Sequence, residues 1–196
     1  MNKKLLLVFI CLISYGAYQH YQHRPVIHGA GEIAPDEPIQ TSTKAADIQL
    51  NGFTLTPLAD YAIKARVLST EDYSMGTEAE LSPTDLALGW GSMSDESVLS
   101  KIEISQNNRF FYWHVDEFPI PQREIEIHAA NTHIIPANDT VKRQLSKIRT
   151  GQVVDIKGQL VEASRADGWR WRSSLSRDDT GAGACEVIYV TELNVS

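Results

Sequence analysis

A mainly β fold (α+β in its detail), built as a single barrel domain with short helices behind an N-terminal membrane segment, is what this sequence predicts. Three observations carry that expectation. The chain opens Met1-Asn2-Lys3-Lys4 and runs into an unbroken apolar stretch, Leu5 to Ile13, with no acidic residue before Glu32. Beyond Ile48 the apolar residues fall mostly in short runs with a period of two, the spacing of half-buried strands. One segment, opening at Asn138, instead places Val141, Leu145 and Ile148 at helical spacing.

The basic start and apolar run have the layout of an export signal. Ser14-Tyr15-Gly16 before Ala17 is a tolerable cleavage site, whereas bulky Val8-Phe9-Ile10 ahead of Cys11 argues against lipoprotein processing. Leu5 through Tyr18 is short against the roughly 20 residues that span a bilayer. Tyr15, Tyr18 and Tyr21 nevertheless suit the outer interface, and Lys3 and Lys4 the inner side. Residues 1–18 therefore read as a signal anchor in the cell inner membrane, single-pass, with the C-terminal domain in the periplasm. The alternative is a cleaved signal peptide and a secreted periplasmic protein. Residues 19–47 hold Pro25, Pro35, Pro38, Gly29 and Gly31 without apolar periodicity, the composition of a Pro/Gly-rich linker, and 48–196 form the globular domain.

The net charge of −7 fits poorly to nucleic acid or anionic headgroups, and the body is more acidic still because Lys3, Lys4 and Arg24 precede it. The expected partners are the membrane, through residues 5–18, and an envelope protein, peptide or glycan. Nucleic acid is not among them. Cys11 lies in the apolar segment and Cys185 is the other cysteine, so no internal disulfide is expected, and Cys185 reads first as small buried filling.

Through the body, Asn51-Gly52 is a turn signal and Tyr61 to Leu68 a strand. Ser82 to Leu88 reads as a short helix, with Ser82 as N-cap and Pro83 in the first position. Ser94 to Leu99 reads as a second, with acids at its positive end. Ile102–Ile104 and Arg109–Trp113 are strands joined by Gln106-Asn107-Asn108, and Ile125 to His128 alternates. Asn138 or Asp139 caps the clearest helix, which Gly151 stops. Val153 to Glu162 is a strand broken or bulged at Gly158. Asp167-Gly168 is a hairpin turn into the strand Trp169–Ser173. Glu186 to Val190 is the last strand.

Strands, one helix, then more strands is the order of an OB-type barrel, in which the helix lies between the third and fourth strands. The stretch Ile148 to Gly158 resembles the helix-to-strand step of such barrels, which makes the expected domain OB-like. Asp85-Leu86-Ala87-Leu88-Gly89-Trp90-Gly91 and Asp167 to Leu175 resemble segments of a family of small exported or membrane-anchored bacterial proteins of unassigned function. With His128–Ala137 and Asp179–Glu186 the resemblance covers most of the body. It implies a bacterial envelope location and carries no activity.

Several residue groups invite a chemical reading. Asp179-Thr180-Gly181-Ala182 spells the loop of aspartic proteases, but that chemistry needs two carboxylates, and the polar Ser176-Arg177-Asp178 ahead of it favours a glycine-rich connection. Cys185 with His128 or His133 has the residue types of a thiol–imidazole pair, with Glu186, Asn131 or Asp139 to orient the histidine. Against it, Cys185 opens an apolar strand and no cysteine-protease signature surrounds it. His128 and His133 are five apart, unlike helical zinc pairs, and His20, His23 and His28 read as polar spacing, so no metal and no cofactor is expected. Trp169 and Trp171 share one strand face, which reads as core, and Arg170 and Arg172 the other. Gly89-Trp90-Gly91-Ser92 lacks the context of a phosphate loop. The expected function is a non-enzymatic envelope binding domain, with Trp90, His128, Asn131, His133, Arg170, Arg172 and Asp179 as its surface. The alternative is a hydrolase or metal-assisted enzyme using His128, His133 and Cys185.

Overall fold

The computed structural model describes residues 6, 8–14, 16, 24–176 and 184–196. Over these the chain is mainly β, with one large sheet, a separate hairpin and a few short helices. The strands are β1 (Ile39–Thr41), β2 (Ile48–Leu50), β3 (Phe53–Asp72), β4 (Thr84–Gly89), β5 (Glu103–Asn107), β6 (Phe110–His114), β7 (Ala129–Pro136), β8 (Val153–Ser164), β9 (Arg170–Arg172) and β10 (Glu186–Val195). The helices are α1 (Thr77–Leu81), α2 (Glu96–Leu99), α3 (Gln122–Ile127) and α4 (Asp139–Leu145).

Asn51 and Gly52 both have positive φ, 52° and 83°, and turn β2 into β3. β3 is long enough to serve two neighbours. Thr54–Arg66 pairs with β8, and Arg66–Asp72 pairs with β4. Pro57, which cannot donate to a ladder, sits where the register against β8 shifts. The pairing continues from β4 to β7, from β7 to β10, and from β10 back to β8, so it returns to β3. β7 and β10 run parallel and the other pairs of this ring are antiparallel. The result is a barrel-like ring that is not evenly closed. Its β3–β8 seam spans Thr54 to Arg66, whereas β7–β10 pairs only over Thr132–Pro136.

The ring interior is apolar: Ile63, Val67, Leu86, Leu88, Ile134, Ile156, Leu160 and Ile188 form one buried cluster. Helix α4 adds Val141 and Leu145 to it, each burial stabilising by about 1.5–3 kcal/mol. Asn138 caps that helix as expected, its Oδ1 accepting from the backbone N–H groups of Thr140 and Val141 at 3.0 Å. Gly158 is not a bulge. It pairs with Tyr61 on one side and Val190 on the other, and a Cβ there would lie 2.0 Å from the Tyr189 carbonyl oxygen. The chain bulges instead between Val190 and Glu192.

Two expected elements are different in kind. Ser82–Leu88 is not a helix. From Thr84 it is β4, with all six residues buried. A strand covered on both faces shows no polar–apolar alternation, so its sequence gives no period-two signal. Ile125–Ile127 is the end of helix α3 and His128 is its C-cap, a stretch too short to separate the periods. The stretch 129–136, with polar Asn131, Thr132 and His133 at its centre, is strand β7, buried from Asn131 to Ile135.

The Pro/Gly-rich stretch lies along the body from Arg24 onward. The Val26 N–H donates to the Thr150 carbonyl at 2.8 Å, Ala34 is fully buried, and β1 pairs with β3. Gly151 is required there, since its φ is +88° and a Cβ would meet the Val26 carbonyl oxygen at 1.8 Å. At the N-terminus the described residues Leu6, Val8–Ser14 and Gly16 are helical, and no helix among the described residues is long and apolar enough to cross a membrane.

Candidate functional site

Strand β4 places Asp85 opposite His133 of β7, and Ala87 opposite Asn131. These residues point away from the ring interior, because Leu86, Leu88 and Ile134 alternate with them into the core. The outer face thus carries a polar seam. It lies between two apolar clusters, one around Phe53, Leu55 and Val187, the other around Leu68, Ala87 and Met93.

The β5–β6 hairpin closes over the second cluster with Ile104, Phe111 and Trp113. Its turn puts Asn108 and Arg109 in the left-handed region, φ 51° and 69°. That backbone costs a non-glycine residue about 1 kcal/mol or more, so it persists only where the surroundings hold it. Here they do. The Arg109 guanidinium donates to Asp85 Oδ1 at 2.6 Å and to the Ser82 carbonyl at 3.0 Å. It also stacks 3.7 Å from the Tyr73 ring centre, while the Arg109 N–H donates to the Tyr73 hydroxyl oxygen. Burial pushes the Tyr73 phenol above its ordinary value. On the other side of Asp85, Oδ2 lies 2.9 Å from His133 Nδ1, and the imidazole packs 4.6 Å from the Trp171 ring. Asp85 is fully buried, and its charge is met by Arg109.

Asn131 ties the seam to the hairpin. Its Oδ1 accepts from Gln106 Nε2 at 2.7 Å, and its Nδ2 donates to the Arg109 carbonyl at 2.8 Å. Cys185 Sγ lies 3.8 Å from both Asn131 Nδ2 and the Arg109 carbonyl oxygen. Beside this mesh a cavity of about 320 Å³ opens between hairpin and ring. Phe110 to Trp113 and Trp90 give it aromatic walls, and Asn131, Cys185, Glu126 and Glu186 supply its polar groups. Trp90 is itself clamped. Its indole N–H donates to Glu37 Oε2 at 2.8 Å, and Glu37 Oε1 lies 3.1 Å from His128 Nε2. His128 Nδ1 faces Glu124, 3.0 Å from its carbonyl oxygen and 3.2 Å from its carboxylate.

Of the expected surface, Trp90 and Asn131 meet at the cavity together with Cys185. His128 touches that site through Glu37 and Trp90, and His133 lies in the seam behind Asn131. The two imidazoles are therefore engaged by different carboxylates. Arg170 and Arg172 stand apart on β9, each 2.7 Å from Glu162, and hydrogen bonding chiefly from Arg172 holds the Glu162 carboxyl below its usual range. Trp169 and Trp171 are half-buried together against the cluster around Phe53, Leu55 and Val187, as their shared face implies. Asp179 and the rest of the Asp-Thr-Gly motif lie outside the described residues, as do His20 and His23. His28 Nε2 is 2.7 Å from the Gly151 carbonyl oxygen. Among the described residues no group of three His, Cys, Asp or Glu is placed to hold a metal ion.

Sequence reasoning missed Asp85, Arg109, Glu37 and the walls Phe111 and Trp113. A charged residue inside the apolar run Asp85–Leu88 was the one local signal, since such charges are rarely fully buried unless paired. Comparison with family models, with curated proteins and with solved structures returned no match for this chain.

Proposed function

We propose that this chain is an exported bacterial envelope protein, tethered in the inner membrane through residues 5–18, whose periplasmic domain binds a protein, peptide or glycan without catalysing a reaction. The basic start and the apolar run support the export and the tether. The domain is read as an OB-like barrel. The ring order β3–β4–β7–β10–β8, its parallel β7–β10 pair and the helix α4 between its third and fourth strands support that assignment.

The observation that carries the binding reading is the aromatic-walled cavity beside Asn131 and Cys185. A concave, mostly apolar site with a few convergent polar groups is the usual form of a ligand pocket. The test is to probe peptide and glycan arrays with the full chain and with Phe110→Ala, which strips one half-exposed wall. Saturable binding that the variant loses supports the reading. No binding, or binding that ignores the variant, sinks it.

The hydrolase reading on His128, His133 and Cys185 keeps one favourable observation, the approach of Asp85 Oδ2 to His133 Nδ1 at 2.9 Å, the atom pair that orients the histidine of a catalytic triad, here without hydrogen-bond geometry. Alkylation of Cys185 by iodoacetamide separates the two. An imidazole-activated thiol reacts fast already at about pH 6, whereas the binding reading expects slow reaction there that climbs steadily with pH.

A further inference from the structure

The stretch 24–38 is a strap that grips the body at successive points and ends on a wall of the cavity. The Gly31 N–H donates to Asp95 Oδ1 at 2.9 Å, and this bond is the first cause holding the Asp95 carboxyl below its usual range. The N–H groups of Ile33 and Ala34 donate to Ser94 Oγ at 3.2 and 3.1 Å, and the Gly91 N–H donates back to the Ala34 carbonyl at 2.8 Å. Three residues further on, the Glu37 carboxylate spans the indole N–H of Trp90 and Nε2 of His128. Gly91 leaves the room this needs, since a Cβ there would lie 2.9 Å from the His128 ring. Trp90 is thus a shared part, with its ring in the cavity wall and its N–H on the strap.

We infer that Glu37 is a positioning residue for the cavity, so that docking of the strap and the shape of the binding site are one coupled equilibrium. The inference rests on the reading of this cavity as the ligand site. A group that holds one wall in place by a charge-assisted bond biases the wall between held and released states. Coupling of this kind acts in both directions, so whatever fills the cavity against Trp90 also tightens the strap. The strap is the part of the body nearest in sequence to the apolar N-terminal run.

Cys185, which lines the same cavity, serves as the reporter. The experiment measures the rate of its modification by N-ethylmaleimide in the full chain in a non-ionic detergent. Peptide mapping keeps the Cys11 adduct separate, and hydrogen exchange follows residues 24–41. Glu37→Ala is expected to speed Cys185 modification about threefold, the scale of one partly exposed charged contact, and to speed exchange in the strap. Glu37→Gln, which keeps an acceptor for the indole, is expected to fall between. Thr43→Val, which removes a bond to Asp60 just beyond the strap and away from the cavity, is expected to leave the Cys185 rate unchanged. A Cys185 rate that ignores Glu37, with the strap released or not, overturns the coupling and leaves the binding reading standing. A Cys185 that reacts only in denaturant overturns both.

Discussion

The two faces of strands β4 and β7 are held by opposite means. Toward the ring, Leu86, Leu88 and Ile134 meet Ile156, Leu160 and Ile188 in a cluster that is apolar throughout and closed at one end by α4. Away from it, Asp85 pairs with Arg109, Asn131 hydrogen-bonds Gln106, the Arg109 carbonyl and Cys185, and the His133 imidazole packs against Asp85 and Trp171. The inner face accepts any close-packed set of apolar side chains of the right volume. The outer face accepts one arrangement only, because a buried carboxylate and a left-handed arginine tolerate no slip of the hairpin. The cavity lies where these two regimes meet, with an aromatic wall from each side. Packing shapes the floor, and charge fixes where the hairpin stands above it.

That contrast can be broken from either side. Arg109→Met leaves the fully buried Asp85 carboxylate without its cation and is expected to cost about 4 kcal/mol, read as a fall in the urea midpoint. Leu86→Ala on the inner face is expected to cost about 3 kcal/mol by the same measurement, the cost of a cavity in a fully buried site. Asn138→Ala uncaps the helix that closes the ring and should cost about 1 kcal/mol. Replacing Asp85, Arg109 and His133 together by Leu, Met and Leu sharpens the comparison. The charges vanish as a set, so stability should change by about 1 kcal/mol or less, far from the effect of Arg109→Met alone.

The smallest effect lies on β9, outside both faces. Folding depresses the Glu162 carboxyl from its ordinary 4.5, first through Arg172 and then through Arg170. A carboxyl depressed by folding stabilises above its ordinary value and loses that contribution as pH falls through the lower, folded value. Acid titration below about pH 4.5 should therefore lower the thermal midpoint. Arg170→Gln with Arg172→Gln should flatten that part of the curve by a few tenths of a kcal/mol, since both arginines are exposed.

The same contrast explains what could be read from the chain. Local chemistry was legible. The Asn138 cap with Val141 and Leu145 marked α4, Asn51-Gly52 and Asp167-Gly168 marked turns, and Glu186 to Val190 marked the start of β10. β4 has the local signals of a helix start and none of a strand, because burial on both faces removes the alternation that marks a strand. β7 carries no strand signal at its centre because Asn131, Thr132 and His133 are polar, and they are polar because they serve the seam. Nothing local joins Asp85 to Arg109, which are 24 residues apart and meet only once the hairpin folds back. Trp90, Asn131 and Cys185 stand out in the sequence only as residue types. Their convergence on one cavity is a property of the ring.

The most direct test of the account is to fill the cavity and ask whether binding survives. Peptide and glycan arrays would be probed with the full chain carrying an unmodified Cys185 and with the same chain carrying an N-ethylmaleimide adduct at Cys185. The account predicts saturable binding by the first and its loss in the second, with thermal stability unchanged. Binding that persists at full strength beside the adduct would place the ligand elsewhere and contradict it.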